Sequence, residues 1–257
     1  MPGSLLTRWS TLLLSVLCAM PVAAQQPSPR ANGDGANAVV TPLDDGPYLR
    51  RDAGTLHAEW ICDGRVVRRE LPARRWPVTV PAVCGYPQAI RVPAPDAQAP
   101  VPPAAPARLV AVSDIHGQYD LLVRLLRANG VIDRKLRWRY GDGVLVVDGD
   151  VFDRGPRVTE TFWLLHQLQQ QAGKAGGGVR FLLGNHETMV LYNDLRYVNP
   201  KYLRVAELLA RPYPDLYGRD SVIGGWLRRQ PVMARIGGTL FVHGGIEPGH
   251  FDLDMDD

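Results

Sequence analysis

Lysine is almost missing from this chain: of its 29 basic residues only Lys135, Lys174 and Lys201 are not arginine. Alongside the abundant alanine, glycine and proline, that bias reads as genome composition rather than function. There is no strong excess of either charge. The net charge is +3, with no run of five or more basic residues, which excludes the electrostatic footprint of a nucleic-acid binder. No apolar run reaches the roughly 18 residues of a membrane-spanning helix. Cysteine is scarce too, and three of them without a CxxC pair exclude a cysteine zinc site. What is present is ample apolar material, 46% of 257 residues against 21% charged, enough for one large domain or two small ones with a packed core.

The chain opens with the parts of a secretory signal. Arg8 precedes the apolar stretch Leu12 to Leu17, and small residues follow at Ala19 and from Val22 to Ala24. Leu17 is too large for a lipoprotein box before Cys18, so cleavage after Ala24 is expected to release a protein with no membrane span into the periplasm or the medium. Export leaves Cys62 and Cys84 as a pair in an oxidising compartment. A disulfide is expected over two free buried thiols; closing the 22-residue separation contributes about 3 kcal/mol by loop entropy.

Composition then divides the mature chain. Residues 25–42 are polar and aperiodic, a flexible leader. From Tyr48 to Val92 short apolar runs alternate with turns, and Leu56–Ile61, the Cys62-Asp63-Gly64 turn and Arg65–Arg68 predict a hairpin in a small β-rich module. The stretch 93–107 is a linker, with six prolines among the fourteen residues from Pro93 to Pro106. From 108 to 257 the pattern changes to strand, helix, strand, helix, strand. Leu109–Val112 and Val144–Val147 read as buried strands and Val179–Leu183 and Thr239–Val242 as further strands, with helices over Tyr119–Leu126 and Val158–Gln171. That alternation predicts a layered α/β sheet.

Each strand ends in chelating residues beside glycine. The exits are Ser113-Asp114-Ile115-His116-Gly117, then Asp148 to Gly155, then Gly184-Asn185-His186-Glu187, then His243-Gly244-Gly245. The carboxyl ends of strands in an open α/β sheet line one crevice. Residues 36, 35 and 58 positions apart (Asp114, Asp150, Asn185, His243) are therefore expected to converge. Asp114 and His116 are expected on one side of an extended exit. Oxygen and nitrogen donors without sulfur suit manganese, iron or zinc. Two such ions about 3.5–4 Å apart activate a water for phosphoryl hydrolysis, with Arg154 forking onto phosphate oxygens. His57, His166 and His250 are expected to be structural, and Asp142-Gly143 an ordinary turn.

The motifs SDIHG, GDVFDRG, GNHE and HGG, in that order, resemble the phosphoprotein phosphatase family within the calcineurin-like metallophosphoesterases. The phenylalanine of GDVFDRG, the stretch Leu195-Arg196-Tyr197-Val198 and the exported precursor resemble its bacterial Shewanella-like branch. The resemblance spans residues 108–249 and implies a β-sandwich flanked by helices. It implies that Asp114, His116 and Asp150 hold one divalent metal, and that Asp150, Asn185 and His243 hold a second with one further histidine downstream. His186 would be the general acid, oriented and charged by Asp153; Arg154 would bind phosphate, and Glu187 would support the ligands from behind. The expected cofactors are two divalent ions, manganese first and iron or zinc as alternatives.

The resulting expectation is an exported phosphatase acting on phosphorylated protein, peptide or small phosphoester, phosphotyrosine included, with no nucleic-acid partner. The competing expectations are a nucleotide or dinucleotide polyphosphate hydrolase, or a non-catalytic fragment. The last arises because only fourteen residues follow His243, and His250 sits in a Pro-Gly turn without a counterpart in the family pattern. The chain is thus expected to be C-terminally incomplete, binding its second metal weakly.

Overall fold

The computed structural model describes residues 43–98 and 105–247. The expected signal segment, the leader, part of the proline-rich linker, His250 and the acidic tail lie outside the described residues.

The β-rich segment begins with an antiparallel meander of β1 (Asp45–Asp52), β2 (Thr55–Cys62) and β3 (Arg65–Pro72). In β2, Leu56, Ala58 and Trp60 alternate inward and are fully buried, the period of a half-buried strand. A short hairpin, β4 (Val78–Val80) and β5 (Ile90–Val92), follows. Cys62 and Cys84 form the expected disulfide, with Cα atoms 5.8 Å apart, joining the end of β2 to the loop between β4 and β5.

Three parallel strands then carry the layered part. β6 (Leu109–Val112) and β8 (Gly178–Leu182) flank the central β7 (Val144–Asp148), with crossovers through α1 (Tyr119–Ala128) and α2 (Val158–Lys174). Val112, Val147 and Phe181 lie in one register row. The loops after all three strands therefore leave the sheet at the same edge. Beyond β8 come three helices that periodicity had not marked: α3 (Asn185–Leu191), α4 (Pro200–Leu209) and α5 (Val222–Leu227). A final hairpin of β9 (Met233–Ile236) and β10 (Thr239–Val242) turns at Gly237-Gly238.

The central strand is apolar on both faces because both are covered. Leu145 and Val147 pack into the main core, whereas Val144 and Val146 meet Ile236 and Phe241 of the last hairpin. The result is a mixed α/β layered fold.

Helix α2 explains the role of the β-rich segment. Residues Val158 to Gln169 of α2 are all buried, as in a helix enclosed on every side. Its outer side is closed by the β-rich segment: Trp163 Nε1 donates to the Pro47 carbonyl at 2.8 Å, and Gln167 exchanges two hydrogen bonds with the backbone of Arg91. The β-rich segment and the layered part accordingly belong to one compact unit. His166 is packed between Trp163 and Trp226, the structural place expected for it.

Replacing both Cys62 and Cys84 by serine should cost about 3 kcal/mol and lower Tm by roughly 6–12 °C for a chain of this size, measured by calorimetry. A variant that melts with the unaltered protein would show that packing alone holds the loop.

Candidate metal centre

Two strand-exit loops interlock before any side chain is considered. The His116 amide donates to the Asp150 carbonyl at 2.9 Å, Gly117 to Val151 at 3.0 Å, and Gly155 to His116 at 2.9 Å. The exits are not extended, as the two-residue spacing of Asp114 and His116 had suggested: both residues have left-handed φ, 53° and 45°. Asp150, Asp153 and Arg154 share that region, so half of the ten non-glycine residues with positive φ among the described residues stand here. Such strain persists only where surrounding bonds over-determine it. The third loop comes equally close. A Cβ on Gly184 would lie 2.2 Å from Asp150 Oδ1, and one on Gly149 2.6 Å from the Gly184 backbone, so only glycine allows these chains to touch.

Glu187 binds the loops together. Fully buried, it accepts from the amides of Asp150 (2.8 Å), Val151 (2.9 Å), Phe152 (3.3 Å) and Gly184 (2.9 Å). Burial nevertheless outweighs these bonds and raises its pKa.

Asp150 occupies the centre, with its side chain 4% exposed. Its Oδ1 accepts from the His186 amide at 3.0 Å. Its Oδ2 faces three imidazole nitrogens: His116 Nε2 and His186 Nε2, each at 3.8 Å, and His243 Nε2 at 3.1 Å. Asp114 Oδ1 stands 3.9 Å from His116 Nε2, and Asn185 Oδ1 3.2 Å from His243 Nε2. Two groups of candidate ligands therefore share Asp150: His116 with His186, and Asp114 with His243.

The tautomers show what the centre accommodates. His116 Nδ1 lies 2.7 Å from the Phe152 carbonyl and His243 Nδ1 2.6 Å from the Asp148 carbonyl. A carbonyl can only accept, so both Nδ1 atoms carry hydrogen, and in its neutral form each ring turns a lone pair on Nε2 inward, where a metal ion could take it. His116 Nε2 is buried with no hydrogen-bond partner. His243 Nε2 meets two oxygens that are themselves acceptors. Lone pairs aimed at one another call for a cation, and backbone-anchored imidazoles are how proteins present nitrogen to a metal. Burial opposes charge on His243, yet the Asp148 carbonyl and the carboxylates of Asp150, Asp114 and Glu187 outweigh it and raise its pKa. The residues fit divalent cations.

The remaining residues expected in the site stand around this core. His186 Nδ1 lies 2.6 Å from Asp153 Oδ2, with both side chains buried. Burial raises the Asp153 pKa despite that bond. Arg154 is exposed, its amide donating to the Tyr197 carbonyl at 3.0 Å. Asp114 is exposed as well, and a 2.6 Å hydrogen bond from Ser113 does most to lower its pKa.

All the expected residues among those described converge; His250, expected to be structural, lies outside the described residues. His186 stands closer to the ligand groups than a separate proton donor needed to. Two residues were missed. Ser113 adjoins both Asp114 and His243, and its place at the strand exit could have marked it. Tyr197 sets its ring 5.4 Å from that of His186 and is 48% exposed; nothing in its spacing announced this.

Residues 107–257 match the family model described as calcineurin-like phosphoesterase. The crystal structure of a cold-active protein-tyrosine phosphatase from a psychrophilic Shewanella species is similar at TM-score 0.73 and 39% identity, covering 80% of this chain and 62% of that one. Shewanella-like protein phosphatase 2 of Arabidopsis thaliana is 37% identical over 108 residues, 42% of this chain and 28% of the relative. A symmetrical bis(5'-nucleosyl)-tetraphosphatase of Neisseria meningitidis is 32% identical over 140 residues, 54% of this chain and 43% of the relative. The chain thus spans less than two thirds of the length of each. Together with the four motifs meeting at one edge of the sheet, these likenesses show that the chain belongs to the calcineurin-like phosphoesterase family, in the Shewanella-like branch of the phosphoprotein phosphatases.

Proposed function

We propose that this chain is an exported, divalent-metal-dependent phosphatase that hydrolyses phosphomonoesters of protein or peptide, aryl esters such as phosphotyrosine among them. The observation that carries this reading is the single carboxylate of Asp150 shared by two groups of candidate ligands. As the family resemblance divides them, Asp114, His116 and Asp150 would hold one ion and Asp150, Asn185 and His243 the other, whereas the distances between ligand atoms group His186 with His116 and Asp114 with His243; the oxygen and nitrogen donors suit manganese, iron or zinc. Two bound ions would supply the charge that acidifies a water and neutralises phosphoryl oxygens.

The other roles belong to the chain itself. Asp153 takes His186 Nδ1 and leaves Nε2 facing the centre. Held in that orientation, His186 would hand a proton from Nε2 to the leaving oxygen. The exposed Arg154 guanidinium would fork onto the phosphate. Export is supported by the signal-like start of the sequence and by the Cys62–Cys84 bridge. The likeness to the tetraphosphatase supports a second reading, hydrolysis of dinucleotide polyphosphates.

Turnover of p-nitrophenyl phosphate, a phosphotyrosyl peptide and diadenosine tetraphosphate with added manganese tests the reading. The peptide should be preferred to the dinucleotide; the reverse would establish the second reading, and no turnover of any would leave a binding protein. Asp150→Asn should lose both metals and more activity than the roughly 10–100-fold cost of removing an outer partner of a metal ligand, whereas Asp114→Asn should keep part of the second site. An Asp150→Asn protein with two metals and ordinary turnover would refute the sharing. His186→Ala should slow alkyl phosphates by about 10²–10⁴-fold and p-nitrophenyl phosphate, whose leaving group needs no proton, far less. Equal losses would mean that His186 only positions phosphate.

A further inference from the structure

Behind the sheet, away from the metal centre, lies a cavity of about 560 Å³ between the C-terminal half of α2, the end of α5 and the segment 76–98. Trp76, Trp226, His166, Arg91, Lys174 and Arg229 line it, and among the described residues no carboxylate does. Its nearest α2 residue, His166, is eight positions past Val158, about 12 Å along the helix from the end that follows Arg154.

The charges here are unbalanced. Among the described residues no ion pair includes Arg91, Lys174, Arg229 or Arg51. Arg51 lies over the Trp76 ring at 5.7 Å, and its Nε is buried without a partner. Burial lowers its pKa, and Arg229 adds to the effect. The other large cavity, about 570 Å³ and lined in part by β2 and β3, differs in this respect. There Arg68 and Arg211 are both taken by Glu59, and Arg50 faces Asp52 and Asp220.

His166 supplies a donor rather than a further charge. The side-chain amide nitrogens of Gln167 and Gln170 stand 3.1 Å and 3.2 Å from its Nδ1. Amide nitrogen only donates, so Nδ1 accepts and the neutral ring carries its hydrogen on Nε2. Burial, then Arg51 and Arg229, push its pKa down to about 3, so the ring is uncharged at neutral pH. Trp226 is held by a 2.8 Å bond from Nε1 to Gln169 Oε1. Fixed indoles and guanidinium planes are surfaces on which flat rings stack, and the volume suits a small molecule.

We propose that this cavity is a binding site for an aromatic anion, a flat ring bearing a carboxylate, sulfonate or phosphate. The ring packs against the two tryptophans, and the anionic group meets Arg229, Lys174 and Arg91. Carboxylate and sulfonate probes separate the sources of the charge and, unlike a phosphate ester, are not substrates of a phosphatase.

Calorimetric titration of the full chain with naphthalene-2-sulfonate should give one site with a Kd of about 1 mM or tighter. Sulfate and naphthalene-2-methanol should each bind at least about tenfold more weakly, since each lacks one half of the recognition. 2-Naphthoate binding as tightly as the sulfonate would identify a site for aryl carboxylates too; much weaker binding would restrict the class to tetrahedral oxyanions. Arg229→Ala and Lys174→Glu, both at exposed positions, should weaken binding about tenfold without shifting Tm, whereas Asp150→Asn should leave it unchanged. The proposal is overturned if the sulfonate does not bind up to about 10 mM, if the neutral analogue binds as well, or if neither cavity substitution matters.

Discussion

One buried carboxylate holds the candidate site together. Glu187 receives four backbone N–H groups, three from the loop after β7 and one from the loop after β8. Burying an ionised carboxyl is costly unless it is hydrogen-bonded; four amide donors offset part of that cost, and burial still raises the pKa. In return the two loops are fixed against each other. Gly184 comes so near Asp150 that no side chain could intervene, and the His186 amide reaches Asp150 Oδ1. The direction in which Asp150 presents its other oxygen follows from those bonds.

The centre is asymmetric as a consequence. His116, His186, Asp150 and Asp153 are buried, whereas Asp114 and Asn185 are exposed and His243 is half-buried. The inner part is rigid, tied by the Phe152 carbonyl and by Asp153, and screened from water. The outer part is open, and it is where Arg154 and the Tyr197 ring stand. The open side, at Asp114 and Asn185, is the one from which solvent reaches the centre. The β-rich segment contributes no chemistry to this centre, but it encloses the outer side of α2, whose N-terminal end carries the loop from Asp153 to Arg157.

Much of this was legible in the sequence because it depends on local pattern. Continuous apolar runs at 109–112 and 144–147 marked two of the parallel strands, although only β7 is covered on both faces; β6, expected to be buried, stands at the sheet edge and alternates between exposed and half-buried. Chelating residues at successive strand exits marked the crevice. What was not legible depends on tertiary contact. The helices α3, α4 and α5 have seven, ten and six residues, and the first and last are too short for a periodicity to declare itself. The convergence of Asp114 and His116 was anticipated for the wrong reason, since left-handed backbone and not an extended exit brings them to 3.9 Å. Glu187 was expected only to give general support. Its four amide partners are spread over residues 150–184 and become visible only when the loops are folded. The β-rich segment looked separate because a run of prolines precedes β6, but its tryptophan and tyrosine side chains belong to the same core as α2.

The central claim is that Asp150 is shared between two metal ions. Crystals of the manganese-loaded protein, measured at the manganese absorption edge, test it directly through the anomalous-scattering map. Two peaks about 3.5–4 Å apart are expected, one on either side of the Asp150 carboxylate, the first beside His116 and the second beside His243. A single peak, or two peaks of which one lies away from Asp150, would contradict it.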